Sequence, residues 1–404
     1  MSATLDRPPT GATSITGAPA CRTCTGISVG DSGFVDCLLP STKVVGFVAA
    51  ETSECNELAV AARHCAATGA VLLVSSTDAT AQLTAIHEST PGIVTIADSR
   101  VWHSRYATED APTLLEDGLP LFTLGEWTSS MLASSKATAA LSPSFCIKLG
   151  DRAALRAVLD ATSSAGTIPG LVTFVAIDAR VLTSTHIADF LADLSATPAR
   201  RFAFLFADKS KPLAHYDRLR GLRKLLRTFP GSWLLGVDAL VATDALAHGA
   251  GWVAVGASSG RRWPRRPGDT GGKPLAEGFL PGTFLRSILE FRSPAVYADW
   301  YANSRSPRCE PCGRNLDFFE PTPPDKAQII AHNLHAISDF ADEVIARPKP
   351  ERAAWLNQER VEAFLRHAEL TSMAKQVEAD YTLRCLCEID DPLMRETTPA
   401  GHWK

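Results

Sequence analysis

Cys309 and Cys312 are separated by two residues, and His332-Asn333-Leu334-His335 follows twenty residues later. Two thiolates at that spacing, with an imidazole delivered by a helix, form three sides of a tetrahedral zinc site. Cys309, Cys312 and His332 are therefore the candidate metal ligands, and the ion they would hold is a structural clip. Two other cysteine pairs, Cys21/Cys24 and Cys385/Cys387, read as chance neighbours. Cys37, Cys55, Cys65 and Cys146 sit among apolar residues and read as core thiols.

A second set of chemical groups lies at the ends of apolar runs. Ile96-Ala97-Asp98-Ser99, Ala176-Ile177-Asp178-Ala179, Phe206-Ala207-Asp208-Lys209 and Gly236-Val237-Asp238-Ala239 each finish in an aspartate. Any one of them reads as the N-cap of the next helix. Four around one mouth would repel one another and split their pKa values, leaving an ionised nucleophile beside a carboxylic acid. Arg218, Arg220, Arg223, Lys224 and Arg227 fall on one helix and read as its solvated face. Arg261, Arg262, Arg265 and Arg266 instead flank Trp263 after the last apolar run. Guanidinium groups beside an aromatic ring suit phosphate contacts with stacking.

The elements that must position these groups follow from the hydrophobic pattern. From Val44 to Ala257 short β-branched runs alternate with longer helical segments near 55–68, 78–88, 151–164, 184–194, 216–228 and 241–249. The runs include 44–48, 71–74, 93–96, 171–175, 202–206, 233–237 and 252–255, with an eighth near 139–141. Continuous rather than alternating apolar strands imply burial on both faces, hence a parallel sheet wrapped by helices. Seven or eight such units in about 220 residues suit a (β/α)8 TIM barrel, with chemistry at the carboxyl ends of the strands. A doubly wound open sheet ranks second, because no G-x-G-x-x-G follows the first strand. The expected division is a disordered N-terminus (1–30), the barrel (31–300), a zinc-binding subdomain (301–347) and a helical C-terminal extension (348–404). A helix with aromatics is expected around Phe284 to Tyr301.

These parts resemble the tRNA-guanine transglycosylase superfamily, a (β/α)8 barrel with a C-terminal zinc subdomain whose cysteines precede an H-N-L helix. Here Cys309-x-x-Cys312 and His332-Asn333-Leu334 carry the resemblance, with Pro307 where the family has a further cysteine. The fourth ligand is open to His335, Cys385, Cys387 or the Cys21/Cys24 pair, or the site is empty. Asp98-Ser99 stands where the family has D-S-G-G-F-Q, but Arg100, Val101, Trp102 and His103 follow. Leu141-Ser142-Pro143 and Asp178 resemble the base-recognising region. The last strand carries no acid, so Asp238 is the late carboxylate.

The resemblance implies exchange of a guanine base in DNA or tRNA for a 7-deazaguanine through a covalent glycosyl-aspartate. In that scheme Asp238 is the nucleophile, Asp98 the acid/base or base-contacting carboxylate, and Asp178 the reader of the purine edge. Ser99 belongs to the substrate side, and Ser258, Ser259, Arg261 and Arg262 hold phosphates. The expected partners are a nucleic acid and a 7-deazapurine base, with a homodimer or partner modification proteins. One alternative is a barrel that has lost catalysis and survives as a nucleic-acid-binding or assembly subunit. Another is an unrelated barrel enzyme that binds a phosphorylated metabolite at Gly256-Ala257-Ser258-Ser259-Gly260. A net charge of −4 confines any polyanion to a local basic patch. No apolar stretch reaches the roughly 18 residues of a membrane span. No secretion signal is read at the N-terminus, so a cytoplasmic location is expected.

Overall fold

The computed structural model describes residues 44–51, 56–115, 122–199, 202–269, 280–309, 312–373, 377–391 and 393–394. The N-terminal segment and Cys21, Cys24, Cys37 and Cys55 lie outside them. Nine strands form one parallel sheet: β1 (Val45–Ala49), β2 (Val71–Ser75), β3 (Thr95–Asp98), β4 (Ala139–Leu141), β5 (Leu171–Val172), β6 (Phe174–Asp178), β7 (Ala203–Ala207), β8 (Trp233–Val237) and β9 (Trp252–Gly256). Their order is β5-β4-β3-β2-β1-β9-β8-β7-β6. Only Thr173 separates β5 from β6, so the two edges of the sheet are halves of one extended segment. The ring closes there. Thr173 O accepts the Ala203 N–H at 2.9 Å, and Ser142 Oγ accepts the Phe174 N–H at 3.0 Å. Beyond β4 its pairing is taken over by Ile147, which bridges Ile177 in parallel. The expected (β/α)8 barrel is what the chain forms.

Continuous apolar strands fill both sides of this wall, as burial on two faces requires. Val71, Leu73, Phe174, Leu205, Trp233 and Trp252 pack inside the ring, with the two indoles 5.1 Å apart. The helical cover is α1 (Glu57–Thr68), α2 (Ala79–Ser89), α3 (Leu124–Ser135), α4 (Arg152–Ala161), α5 (Ile187–Ala196), α6 (Tyr216–Thr228) and α7 (Ala239–Ala247). After β9 the described residues form a short helix, α8 (Ser259–Arg262), then a hairpin of β10 (Thr283–Leu285) and β11 (Glu290–Arg292), and then α9 (Pro294–Trp300). The first half of the helix expected around Phe284 to Tyr301 is thus a hairpin, with Phe284 and Phe291 paired across it at 5.0 Å, and only the second half is helical. Pro294 opens the helix that follows, a position where its missing N–H is harmless.

The missing eighth cover comes from α10 (Pro323–Ala346), which packs against both α1 and α7. The helix that carries His332 and His335 is therefore also the one that completes the barrel's outer layer. Two tail helices follow, α11 (Arg352–Met373) and α12 (Tyr381–Asp390).

Buried charge fastens the tail. Asp244 on α7 accepts from Arg223 on α6 at 2.7 and 3.0 Å and from Arg360 on α11 at 2.9 Å. Asp390 at the end of α12 accepts from the same two arginines, at 2.5 and 2.9 Å from Arg223 and 3.1 Å from Arg360. Arg223 therefore does not belong to a solvated face, as the charge run suggests, and Arg218 of that run is bound to Asp208. Burial alone would raise the Asp244 pKa, but the Arg360 and Arg223 charges override it and hold the carboxyl far below its usual range. Its stabilisation is present above the unfolded value of about 3.9 and is lost as pH falls below it. Asp244→Ala leaves two buried guanidiniums short of an acceptor and should destabilise the fold by about 3–5 kcal/mol in urea unfolding. The acid-side loss of stability should be shallower in that variant than in the parent.

Candidate active site and metal centre

The four strand-end aspartates reach the carboxyl mouth of the barrel, but each is engaged differently. Asp98, 3% exposed, accepts from Ser75 Oγ at 2.6 Å, Trp102 Nε1 at 3.1 Å and the Arg100 N–H at 2.8 Å. Burial raises its pKa against these donors. Trp102 thereby lies over β3 as a stopper at the top of the packed interior, and Ser99 beside it is partly buried. For Asp178 burial also acts upward, but the Arg180 side chain and backbone, with Arg266, bring it below its usual value. Asp208 is held by Arg218 at 2.6 Å. Arg266 spans the rim, 3.2 Å from Asp178, 3.6 Å from Asp208 and 2.9 Å from Asp269. The carboxylates are thus separated by arginines rather than set against one another. Their pKa values do diverge, and the cause is burial at Asp98 and Asp238 against guanidinium contact at Asp178.

Asp238 caps α7 through the Val241 N–H at 3.0 Å and faces two small recesses, of about 10 and 40 Å³. The larger is lined by Lys211, Asp238, Trp263, Glu290, Phe291 and Asp380, among others. Burial is the main reason that the Asp238 pKa is raised. Lys211 pairs with Asp380, which caps α12, and its ammonium lies 5.2 Å from the centre of the Trp263 ring. Lys211 follows the Asp208 strand end, so its place at the mouth was readable from position alone. Asp380 comes from the tail, and nothing in its surroundings marks it.

The arginine loop divides between rim and floor. Arg262, 3% exposed, donates to Gly256 O and Ala257 O at 3.3 and 3.2 Å and stacks on Phe291 at 4.0 Å. Burial lowers its pKa to about 10. It braces the turn from below instead of opening to a ligand. Arg261 stays at the rim, with Nη1 on Ser75 O at 3.2 Å and Nε 3.9 Å from Glu57. Ser258 contacts buried Glu57, and Ser259 is exposed at the start of α8. The turn is tight: a Cβ on Gly256 would fall 2.1 Å from the Arg262 amide nitrogen.

Cys309, Cys312, His332 and His335 converge, with one donor atom from each all lying within 4.8 Å of one another. Cys309 Sγ is 2.9 Å from His335 Nε2, and Cys312 Sγ is 3.5 Å from His332 Nδ1. Metal–ligand bonds of about 2.0–2.3 Å in a tetrahedron place donors at about these separations. A turn closed by Gly313 N–H on Cys309 O at 2.8 Å, with Gly313 at φ 68°, aims both sulfurs at the helix. His332 Nε2 bonds Phe284 O at 2.7 Å, which leaves Nδ1 for an ion and orients the ring. The donor set can hold a metal, and among the described residues His335 is the one placed to supply the fourth donor. Cys385 and Cys387 are buried in the core instead, with thiols pushed up to about 12 by burial.

No protein-family model matches the sequence, and comparison with curated proteins gives no match. Among solved structures, the chain is similar to one described as a fructose-1,6-biphosphate aldolase from Coccidioides immitis. The two are 10% identical with a TM-score of 0.33, over 76% of this chain and 89% of that one. Among the described residues no helix is long and apolar enough to cross a membrane.

If the four donors act together, the purified chain should carry one metal ion per molecule by elemental analysis. His335→Ala should lose that ion and melt several degrees lower. Full metal content in His335→Ala would exclude it as the fourth ligand.

Proposed function

We propose that the barrel exchanges a base in a nucleic acid, with Asp238 as nucleophile. The supporting observation is the recess that sets the Asp238 carboxylate beside the Trp263 and Phe291 rings and the Lys211 ammonium. The aromatics offer a planar ring stacking faces, and the recess, of about 40 Å³, must widen before a purine enters. In the proposed reaction an Asp238 oxygen bonds C1′ as the C1′–N9 bond of guanine breaks, and the departing ring takes a proton. A 7-deazaguanine then attacks C1′, loses its proton from N9, and returns Asp238 as carboxylate. The target base must leave its stack to enter the recess. Asp98, closed under Trp102, acts in this scheme by fixing the β3 turn, and Asp178 could meet a purine edge only by exchanging contacts with Arg180 and Arg266. The Cys2His2 set with no open position suits zinc in a structural role, away from bond making.

A second reading is a barrel that binds nucleic acid without catalysis. Asp98 favours it, because both of its oxygens are occupied and the indole seals it from the mouth.

Labelled 7-cyano- or 7-aminomethyl-7-deazaguanine, incubated with tRNA and with duplex DNA, separates the two. Exchange should fall at least about 10³-fold in Asp238→Asn. Only the ionised carboxylate attacks, so the parent rate should rise with pH through a pKa above the ordinary aspartate value and then level off. Polymer binding with no incorporation of label into either substrate would leave the binding barrel standing and remove exchange.

A further inference from the structure

We infer that Lys211 is the gate of the Asp238 recess: its side chain covers the way to the Trp263 ring, and swinging it off Asp380 opens that way. The gate presupposes that a base stacks in the recess, which at about 40 Å³ has to widen first. Lys211, Asp238 and Trp263 line both this recess and the smaller one beside it, so withdrawing the Lys211 stem enlarges both. The ammonium lies 5.2 Å from the centre of the Trp263 ring, where a planar ring would have to stack. It donates to Asp380 Oδ2, while Asp380 Oδ1 accepts the Thr382 N–H at 2.8 Å. This one ion pair ties the loop after β7 to the first turn of α12. The Lys211 side chain is 40% exposed, so it stands between the recess and water.

The other walls are fastened at more than one point. Leu240, at the start of α7, is buried in the main core. Trp263 is followed by Pro264, whose carbonyl accepts the Asp208 N–H at 3.1 Å. Glu290 is buried and bonded to His367 at 2.6 Å, and Phe291 packs between Phe284 and the Arg262 guanidinium. The α12 helix buries Leu383 and Leu386 and is locked at its far end through Asp390. Even the backbone under Lys211 is held, since Arg218 donates to Pro212 O at 2.6 Å and Leu213 is buried. What can move without breaking the core is the Lys211 side chain, a flexible four-carbon stem restrained by one ion pair and one ring contact. A partly exposed pair of this kind is weak, and exposed side chains change rotamer within nanoseconds. Once released, the ammonium is hydrated and Asp380 keeps the Thr382 N–H. A gate that is mostly closed lowers the apparent affinity of a ligand in proportion to the open fraction.

Guanosine, which carries no net charge, probes the full chain by calorimetry. Lys211→Ala and Asp380→Asn should each tighten its binding, by up to about tenfold. A lysine that served only as a ligand contact would give looser binding instead. Asparagine preserves the α12 cap, so the second variant carries the test should the first unfold. Parent binding should tighten as salt weakens the ion pair, and both variants should lose that dependence. A second readout needs no ligand. Trp263 emission, taken as the difference from Trp263→Phe in each background, should be quenched more strongly by acrylamide in both variants than in the parent. Stronger quenching without guanosine binding keeps the gate and removes base stacking, and tighter guanosine binding without label exchange keeps the gate and removes exchange. Weaker guanosine binding in the folded variants, or quenching of Trp263 equal to that in the parent, would overturn the gate.

Discussion

A closed parallel ring has to be covered by helices all the way round its outside, and this chain withholds the last cover until α10. The seam between β9 and β1 stays open for sixty-six residues after Gly256, which is room for α8, the β10–β11 hairpin, α9 and the cysteine turn before Pro323. When α10 arrives, it must lie between α1 and α7, because those flank the exposed seam. Its inner face, with Ile330, Leu334, Ile337 and Phe340, is then buried in the main core. The constraint on the barrel thus fixes where His332 and His335 stand. A metal held by this helix is attached to the barrel wall itself rather than to an appendage.

The same delay builds the mouth. The excursion between β9 and α10 delivers Arg262, Trp263 and Arg266 to the ends of the strands, and Phe291 to the flank of the recess. Gly236 lets the excursion settle: β8 shifts register there at φ 66°, and a Cβ would meet Pro264 at 2.8 Å. Arginines then do what water does at an open barrel mouth. Arg266 and Arg180 neutralise Asp178, Arg218 neutralises Asp208, and Arg262 supplies positive charge beneath Asp238. A mouth organised this way is electrically patterned, with Asp178 and Asp208 held by guanidiniums and Asp238 facing the recess.

The barrel was legible in the sequence because parallel strands, buried on two faces, read as continuous apolar runs, and even the three-residue β4 at Ala139 was marked by its pattern. The cysteine–histidine set was legible through spacing, although His335 as fourth donor needed the helix, which puts positions three apart on one face. The β10–β11 hairpin was not legible: Thr283–Arg292 has no turn signature, and its pairing depends on Asn333, whose amide bonds the Phe284 N–H at 2.7 Å and Gly282 O at 2.9 Å. Arg223 escaped for a related reason. Its acid partners lie on α7 and α12, and a charge run on one helix says nothing about which member faces inward. Lys211 and Asp380 meet across the fold for the same reason, as a contact between distant segments that no local pattern encodes.

Metal centre and recess are joined by a short chain of bonds. An ion on Nδ1 of His332 would fix the ring whose Nε2 binds Phe284 O, and the next residue, Asn333, binds the Phe284 N–H. Phe284 is paired with Phe291 in the hairpin, and Phe291 both supports the Arg262 guanidinium and lines the wall facing Asp238. On the other side of the recess, Asp380 is held by Lys211 and by the helix whose last residue, Asp390, is locked to Arg223 and Arg360. The recess is therefore clamped from two sides, by the cysteine–histidine helix through the hairpin and by buried ion pairs through the tail. Neither clamp touches the Asp238 carboxylate, yet its position opposite Trp263 depends on both, because the hairpin and α12 supply walls that the barrel strands do not.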